Sequence, residues 1–145
     1  MECMSGQTKW LGRTVLHEGL PMALRVRPGV DSAANRERYP ILVALTHKLR
    51  VIHSDGLPDA TYNATLLDLD LTVTSALDAD ARGITVLIET FHGERTYYAY
   101  TQSKDQASLA LSQAQARYPE HDLSVLTRPD PKWGLLHRYK ELFPW

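Results

Sequence analysis

The 145-residue sequence contains only one cysteine, Cys3, so no disulfide can form within the chain. A membrane-spanning helix requires about 18 consecutive apolar residues, and no apolar run in the sequence approaches that length. The N-terminus also lacks the positive and then apolar pattern of a secretory leader. These three absences favour a cytoplasmic protein without a membrane partner, because a reducing cytoplasm does not maintain disulfides.

An excess of one charge sign is also missing, with 16 Lys and Arg against 17 Asp and Glu. Residues 1–55 carry eight basic and five acidic side chains, whereas residues 56–102 carry two and seven. This balance does not indicate nucleic acid or an acidic membrane as a partner. The length and the 43% apolar content are typical of one globular domain. We therefore predict a single domain over residues 1–145, with residues 1–9 flexible.

Patterns typical of catalytic and cofactor sites are missing as well. There is no Gly-x-Ser-x-Gly elbow, and the eight glycines stand singly at turns rather than in a phosphate-binding loop. None of the six histidines falls in a spacing that holds zinc. The sequence therefore predicts no catalytic residue, no metal and no cofactor.

Regular secondary structure is strongly indicated. Alternating apolar residues predict strands over residues 12–17, 22–27 and 41–52, and a last strand over residues 122–127. Residues 59–77 fit an amphipathic helix capped by Asp59, with Asp68, Asp70 and Asp78 on a solvated acidic side. Strict alternation over residues 67–73 leaves a strand open as the alternative there.

Two further helices are indicated near the end of the chain. Ser103 and Gln106 have the spacing of a capping box at the start of one helix. For the second helix, Asp130 is typical of the cap and Pro131 of the first helical residue. Trp133 of this helix is expected in the core.

Residues 84–101 predict a β-hairpin with its turn at His92 and Gly93, and three tyrosines lie in four positions of the second strand. From residue 40 to 127 the element order is then βαββαβ. This order predicts an α+β fold: a ferredoxin-like sandwich with two helices on one sheet face, an added N-terminal hairpin and a C-terminal helix.

A two-residue turn divides the hairpin side chains between the two faces of the sheet. One face receives Val86, Ile88, Tyr97 and Ala99, and the other receives Leu87, Phe91, Tyr98 and Tyr100. If the helices cover the first face, the second is an aromatic surface, and we take Leu87, Phe91, Tyr98, Tyr100 and Arg95 as candidate partner-binding residues. Two alternatives stay open. The hairpin at the N-terminus, the last helix or a dimer partner could cover this face, and a three-residue turn would exchange Tyr97 and Tyr98.

The leading hypothesis is a non-catalytic regulatory module that binds another protein, with a homodimer as a further possibility. A hydrolytic site around His92, Glu94 and Arg95 is one alternative. Single-stranded RNA binding is another, with a basic margin formed by Arg25, Arg27, Lys48 and Arg50. Nucleic acid is not the expected partner.

Several motifs occur together in a characteristic order. They are Asp55-Gly56-Leu57-Pro58 before a leucine-bearing helix, Gly93-Glu94-Arg95 followed by tyrosines, and a closing Asp130-Pro131-Lys132-Trp133 with Leu142-Phe143-Pro144. The set resembles the bacterial domain-of-unknown-function family 695 over most of the chain. The resemblance implies an α+β domain and a helix at residues 59–77, but no activity, because the family is named for lacking one. Some relatives look fused to a domain similar to an inhibitor of ribonuclease E, which implies regulation by protein contact.

Overall fold

The computed structural model describes residues 10–145. This part of the chain forms six strands and five α-helices: β1 (Leu11–His17), β2 (Leu20–Val26), α1 (Ala33–Arg38), β3 (Ile41–Lys48), α2 (Ala60–Thr65), α3 (Leu67–Leu77), β4 (Gly83–Phe91), β5 (Glu94–Thr101), α4 (Lys104–Arg117), β6 (Asp122–Pro129) and α5 (Gly134–Leu142). Cys3 and the flexibility predicted for residues 1–9 lie outside the described residues.

The six strands form one sheet in the order β1-β2-β4-β5-β3-β6, and all neighbouring strands are antiparallel. The predicted α+β class is confirmed, and so are the N-terminal hairpin and the last helix. The order of the whole sheet is not a simple ferredoxin order. Its two outer strands are β1 and β6.

Helices cover both faces of the sheet, but unequally. On one face, here called the helical face, α3 packs against β4 and β5, and α4 packs against β3, β5 and β6. Its core includes Val43, Leu45, Val73 and Ala110, all fully buried. On the other face, here called the α5 face, the second core includes Leu24 and Leu87 from the sheet and Trp133 from the segment before α5. No helix of the described residues is long and apolar enough to cross a membrane.

Residues 59–77 are helical as predicted, and the strand alternative is wrong. The segment forms two helices rather than one, with Leu66 between α2 and α3. Asp59 caps α2 as expected, and its carboxylate accepts hydrogen bonds from the backbone N–H groups of Thr61 and Tyr62 at 3.1 and 3.2 Å. The prediction that Asp70 is solvated is wrong, because this residue lies in the buried stripe of α3.

Strand β3 ends at Lys48, earlier than predicted, because the chain then turns to pack against the tip of the β4–β5 hairpin. The N–H of Leu49 donates to the carbonyl of Gly93 at 2.9 Å, and the N–H of Gly93 donates to the carbonyl of Gly56 at 2.9 Å. Gly56 has a φ of 88°, and a Cβ there would lie 2.7 Å from the Cα of His92. This contact accounts for the glycine of the Asp55–Pro58 loop.

The predicted starts of the last two helices are borne out only in part. Ser103 precedes α4 but makes no capping hydrogen bond with its side chain. Gln106 instead donates to the carbonyl of Ala76 at 2.9 Å, which ties α4 to α3. Helix α5 begins at Gly134 rather than at Pro131, and the Asp130 carboxylate accepts from the N–H of Gly134 at 2.9 Å.

Candidate functional site

The β4–β5 hairpin has the two-residue turn that its sequence predicts. His92 and Gly93 have φ angles of 50° and 84°, the left-handed values that a type I′ turn requires. Ile88 pairs with Tyr97, and Leu87 pairs with Tyr98. Tyr97 therefore lies on the helical face, and Tyr98 lies on the α5 face.

A β-bulge changes the position of one predicted residue. The register of β4 against β5 shifts between Thr85 and Leu87. Val86 consequently belongs to the core of the α5 face, together with Leu87, and not to the core of Ile88 and Tyr97. The prediction for Val86 is wrong, because the bulge inserts one residue that strict alternation does not include.

The expected open aromatic surface is covered over much of its area by α5 and the turn before it. The Trp133 ring stacks on Tyr100 with 4.3 Å between centroids and 7° between planes. The Tyr100 hydroxyl donates to Asp130 at 2.8 Å, and the Trp133 indole donates to the carbonyl of Tyr39 at 2.9 Å. Leu87 and Tyr100 are fully buried by this arrangement. The alternative in which the last helix covers this face therefore holds here, and these two candidate residues do not reach the surface.

Between α5 and the outer strand β6, a part of the same face remains that the described segments of the chain do not cover. It forms a groove of about 370 Å³, here called the edge groove, lined by Leu42, Ala44, Tyr98, Leu126, Thr127, Arg128 and Leu135. Tyr98 is half-buried, whereas the Leu126 side chain is among the most exposed apolar groups, with 78% of the residue accessible. Of the five candidate partner-binding residues, Tyr98 is the one that lines this groove.

Tyr98 packs against Tyr139 of α5, with 5.8 Å between the ring centroids. The Tyr139 hydroxyl donates to the Glu89 carboxylate. Burial, together with the Glu89 charge, raises the pKa of Tyr98 above its usual value of 10.0. Tyr98 is therefore held as a neutral, positioned ring.

Phe91 lies elsewhere on this face, where its ring packs against the His17 ring with 5.2 Å between centroids.

Arg95 lies on the helical face and does not contribute to the aromatic surface. Its Nε donates to Thr90 at 2.9 Å, and one terminal nitrogen donates to both oxygens of Asp70 at 3.1 and 3.2 Å. The other terminal nitrogen donates to Asn63. The Tyr97 hydroxyl also donates to Asp70, and burial followed by the Asp70 charge raises the pKa of Tyr97 well above 10.0. Arg95 is 95% buried in this network.

The three residues of the hydrolytic alternative do not converge. Glu94 pairs with Phe91 on the α5 face, whereas Arg95 is directed into the helical face. His92 and Glu94 are exposed at the turn. This geometry does not form the concave pocket that a site at residues 92–95 requires.

The proposed basic margin is also divided. Arg25 donates to Asp70 at 3.1 Å, and Arg27 donates to Asp78 at 2.7 Å, so both belong to the helical face. They do not lie beside Tyr98, which is on the opposite face. Two of the four basic residues of the RNA alternative are therefore absent from the surface of Tyr98.

A histidine of the sheet, His47, contacts a second histidine that lies just before β6. His47 pairs with Arg95 across β3 and β5, and its Nε2 lies 3.0 Å from Nδ1 of His121. Burial, followed by the charges of His121 and Arg95, lowers the pKa of His47 to about 4. His47 is therefore neutral near neutral pH.

Sequence reasoning did not identify Asp70 as a member of a buried network. A signal was present: Leu66, Leu69, Val73 and Leu77 are buried at helical spacing, and Asp70 falls inside that stripe. An acidic residue in an apolar stripe indicates a buried cationic partner. The hairpin arginine at position 95 supplies it.

Comparison with known proteins identifies a family but no function. A search among curated proteins found no match. Residues 9–139 match the model of a family of unknown function, DUF695. The match covers both sheet faces, the edge groove and the Arg95 network. The chain therefore belongs to the DUF695 family.

Proposed function

We propose that this protein is a non-catalytic module that binds an extended segment of another protein at the edge groove. The observation that carries the proposal is the exposure of Leu126, 78% accessible in the middle of an outer strand and beside Tyr98. Single exposed leucines are common on protein surfaces. Leu126 differs because it borders an apolar groove and lies on a sheet edge with which no strand of residues 10–145 pairs.

The position of β6 favours an extended occupant. One side of β6 pairs with β3, and the other side has no neighbouring strand among the described residues. An unpaired edge presents backbone N–H and C=O groups to which a peptide can add as a further strand. Alternate side chains of such a peptide would point into the groove.

The chemistry of the groove indicates what those side chains are. Leu42, Ala44 and Leu135 supply an apolar floor and wall, and Tyr98 supplies an aromatic surface. Exposed Arg128 adds one positive charge at the rim. These features fit a segment with apolar residues at alternate positions and an acidic residue placed to meet Arg128.

The proposal is tested by site-specific photocrosslinking in cells that express the chain. A photoreactive phenylalanine replaces Leu126 in one variant and Leu109 in the control, since Leu109 is an exposed leucine of α4 on the other side of the sheet. We expect a discrete adduct with one other protein from position 126 but not from position 109. Equal adducts from both positions, or an adduct of two copies of this chain, would contradict the proposal.

The crosslinked protein is then purified and its affinity is measured directly. Leu126→Asp should weaken binding by about tenfold or more, because it places a charge in the apolar contact. Leu109→Asp should leave the affinity unchanged. Unaltered binding by Leu126→Asp would remove the edge groove from consideration.

Two finer points accompany the proposal. The neighbouring strands β4, β5, β3 and β6, with α3 and α4 on one face, support a ferredoxin-like unit to which the hairpin β1–β2 is added. The single cysteine supports a cytoplasmic setting. Cell fractionation tests the second point directly.

A further inference from the structure

A second concave surface lies on the helical face, far from the edge groove in the architecture. The hairpin β1–β2 extends the sheet sideways, and no helix of the described residues packs on it as α3 packs on β4. Between this hairpin and the helices α2 and α3 lies a cleft of about 640 Å³, here called the arginine cleft. Its size lies within the range of about 300 to 1,000 Å³ typical of small-molecule sites.

The surfaces of the arginine cleft combine apolar and polar groups. Ala23 and Thr90 lie on the floor, on neighbouring strands, and Ala64 and Leu67 form the helical wall. Leu67 is 60% accessible although it is apolar. An organic body could therefore lie against the wall while its polar end reaches the floor.

The charged groups of the cleft do not balance. Arg25 and Arg95 both donate to the single carboxylate of Asp70, at 3.1 Å in each case. Arg13 also borders the cleft, but its guanidinium donates to the carbonyl of Pro144. Two guanidinium groups against one carboxylate leave one formal positive charge. A low-dielectric wall strengthens the attraction of this charge for an anion.

The two arginines differ in how many of their donors are in use. Arg95 donates to Thr90, Asp70 and Asn63, and only 6% of its side chain is accessible. Arg25 donates to Asp70 alone among the described residues, and 40% of its side chain is accessible. A guanidinium has five N–H donors in a planar fork, so Arg25 retains donors for a ligand.

Stability alone is a weak reason for such a network. Replacing buried ionic triads with apolar residues of similar volume often leaves stability equal or higher, because desolvation of the charges offsets their attraction. A binding role accounts for both the excess charge and the accessible guanidinium.

We infer that the arginine cleft binds a small organic anion. Its carboxylate or phosphate oxygens accept hydrogen bonds from Arg25, and its apolar part lies against Ala64 and Leu67. Arg95 and Asp70 position the Arg25 guanidinium, and Arg25 makes the direct contact with the ligand. This site is independent of the edge groove.

The inference is tested by amide chemical-shift titration of the isotopically labelled full chain. The probes are hexanoate, acetate, hexyl phosphate and inorganic phosphate, each compared with chloride at matched ionic strength. We expect saturable shifts at Gly12, Ala23 and Asn63, with hexanoate or hexyl phosphate binding more tightly than its short counterpart. The preferred head group identifies the anion as a carboxylate or a phosphate.

Matched variants show whether the guanidinium carries the binding. Arg25→Gln keeps the Arg95–Asp70 pair and removes the excess charge, and it should weaken binding by about tenfold or more. Arg27→Gln, on the same strand but paired with Asp78, is the control and should bind as the parent does. Absence of saturable shifts with all four probes, or equal affinity of Arg25→Gln and the parent, would overturn the inference.

Discussion

Arg95 and Asp70, 25 residues apart in the sequence, form a buried ion pair that joins the tip region of the β4–β5 hairpin to α3. The shortest distance between the guanidinium and the carboxylate is 3.1 Å, and less than a tenth of either side chain is accessible. Asp70 also accepts from Arg25 and Tyr97. Three elements of the helical face, α3, β5 and β2, thus meet at one carboxylate.

Removal of that carboxylate should strongly destabilise the protein. Asp70→Ala leaves the Arg95 charge buried without a partner, and we expect the free energy of unfolding to fall by about 3–5 kcal/mol. Asp68→Ala is the control, because its pair with Arg117 is exposed and worth about 0–1 kcal/mol. Urea unfolding measures both values. Similar losses in the two variants would mean that the buried network contributes no more than a surface pair.

Stability should depend on pH through His47. Its pKa is about 4 in the folded protein against 6.5 for the free side chain, so the unfolded chain binds more protons between these values. Stability is therefore full above pH 6.5 and falls as the pH drops towards 4, by on the order of 3 kcal/mol.

The contribution of His47 can be separated from that of carboxylates by comparing the parent with His47→Gln. Asp31 and Asp130 have pKa values below 3.8 and remain ionised over this range. Urea unfolding from about pH 7 to about pH 4.5 should show a smaller loss of stability in the variant. Parallel pH profiles for the two proteins would assign the effect to other groups.

Gly56→Ala should destabilise the loop that packs on the hairpin tip. The new Cβ would lie 2.7 Å from the Cα of His92, and the φ of 88° is unfavourable for alanine. Gly29→Ala is a matched control, because its φ is 79° but no atom lies within 4 Å of the added Cβ. We expect Gly56→Ala to cost about 1–3 kcal/mol more than Gly29→Ala in thermal or urea unfolding. Equal costs would show that the backbone moves aside without strain.

Trp133→Ala should cost about 3–5 kcal/mol, as is usual for truncating a buried aromatic side chain. The substitution removes the stack on Tyr100 and leaves the carbonyl of Tyr39 without its indole donor. Trp145→Ala, at a partly exposed tryptophan, should cost much less. A loss at Trp133 no greater than at Trp145 would mean that α5 is not held by this anchor.

Local patterns were sufficient for the features that depend on neighbouring residues. The turn at His92 and Gly93 follows from residue type and spacing, and the hairpin register near Ile88 and Tyr97 follows from that turn. The helical period over residues 59–77 was likewise readable, and it outweighed the short strict alternation at residues 67–73.

Features that depend on distant residues could not be read in the same way. The burial of Asp70 requires Arg95 to approach from another strand, and the bulge at Val86 depends on the pairing of β4 with its neighbours. Coverage of Tyr100 depends on where Trp133 docks, which periodicity does not specify. The same limit applies to both candidate sites, because each groove lies between elements that are remote in the chain.

The contact between Trp133 and Tyr39 spans 94 positions and bears on the order of events during synthesis. The six strands of residues 10–145 leave the ribosome before Trp133 and Leu136 do, because they precede them in the chain. Until then, Leu87 and Tyr100 lack the cover that Trp133 and Leu136 provide, and this surface is available to chaperones or to a neighbouring nascent chain. Burial of this sheet face thus waits for the segment that contains Trp133 and Leu136.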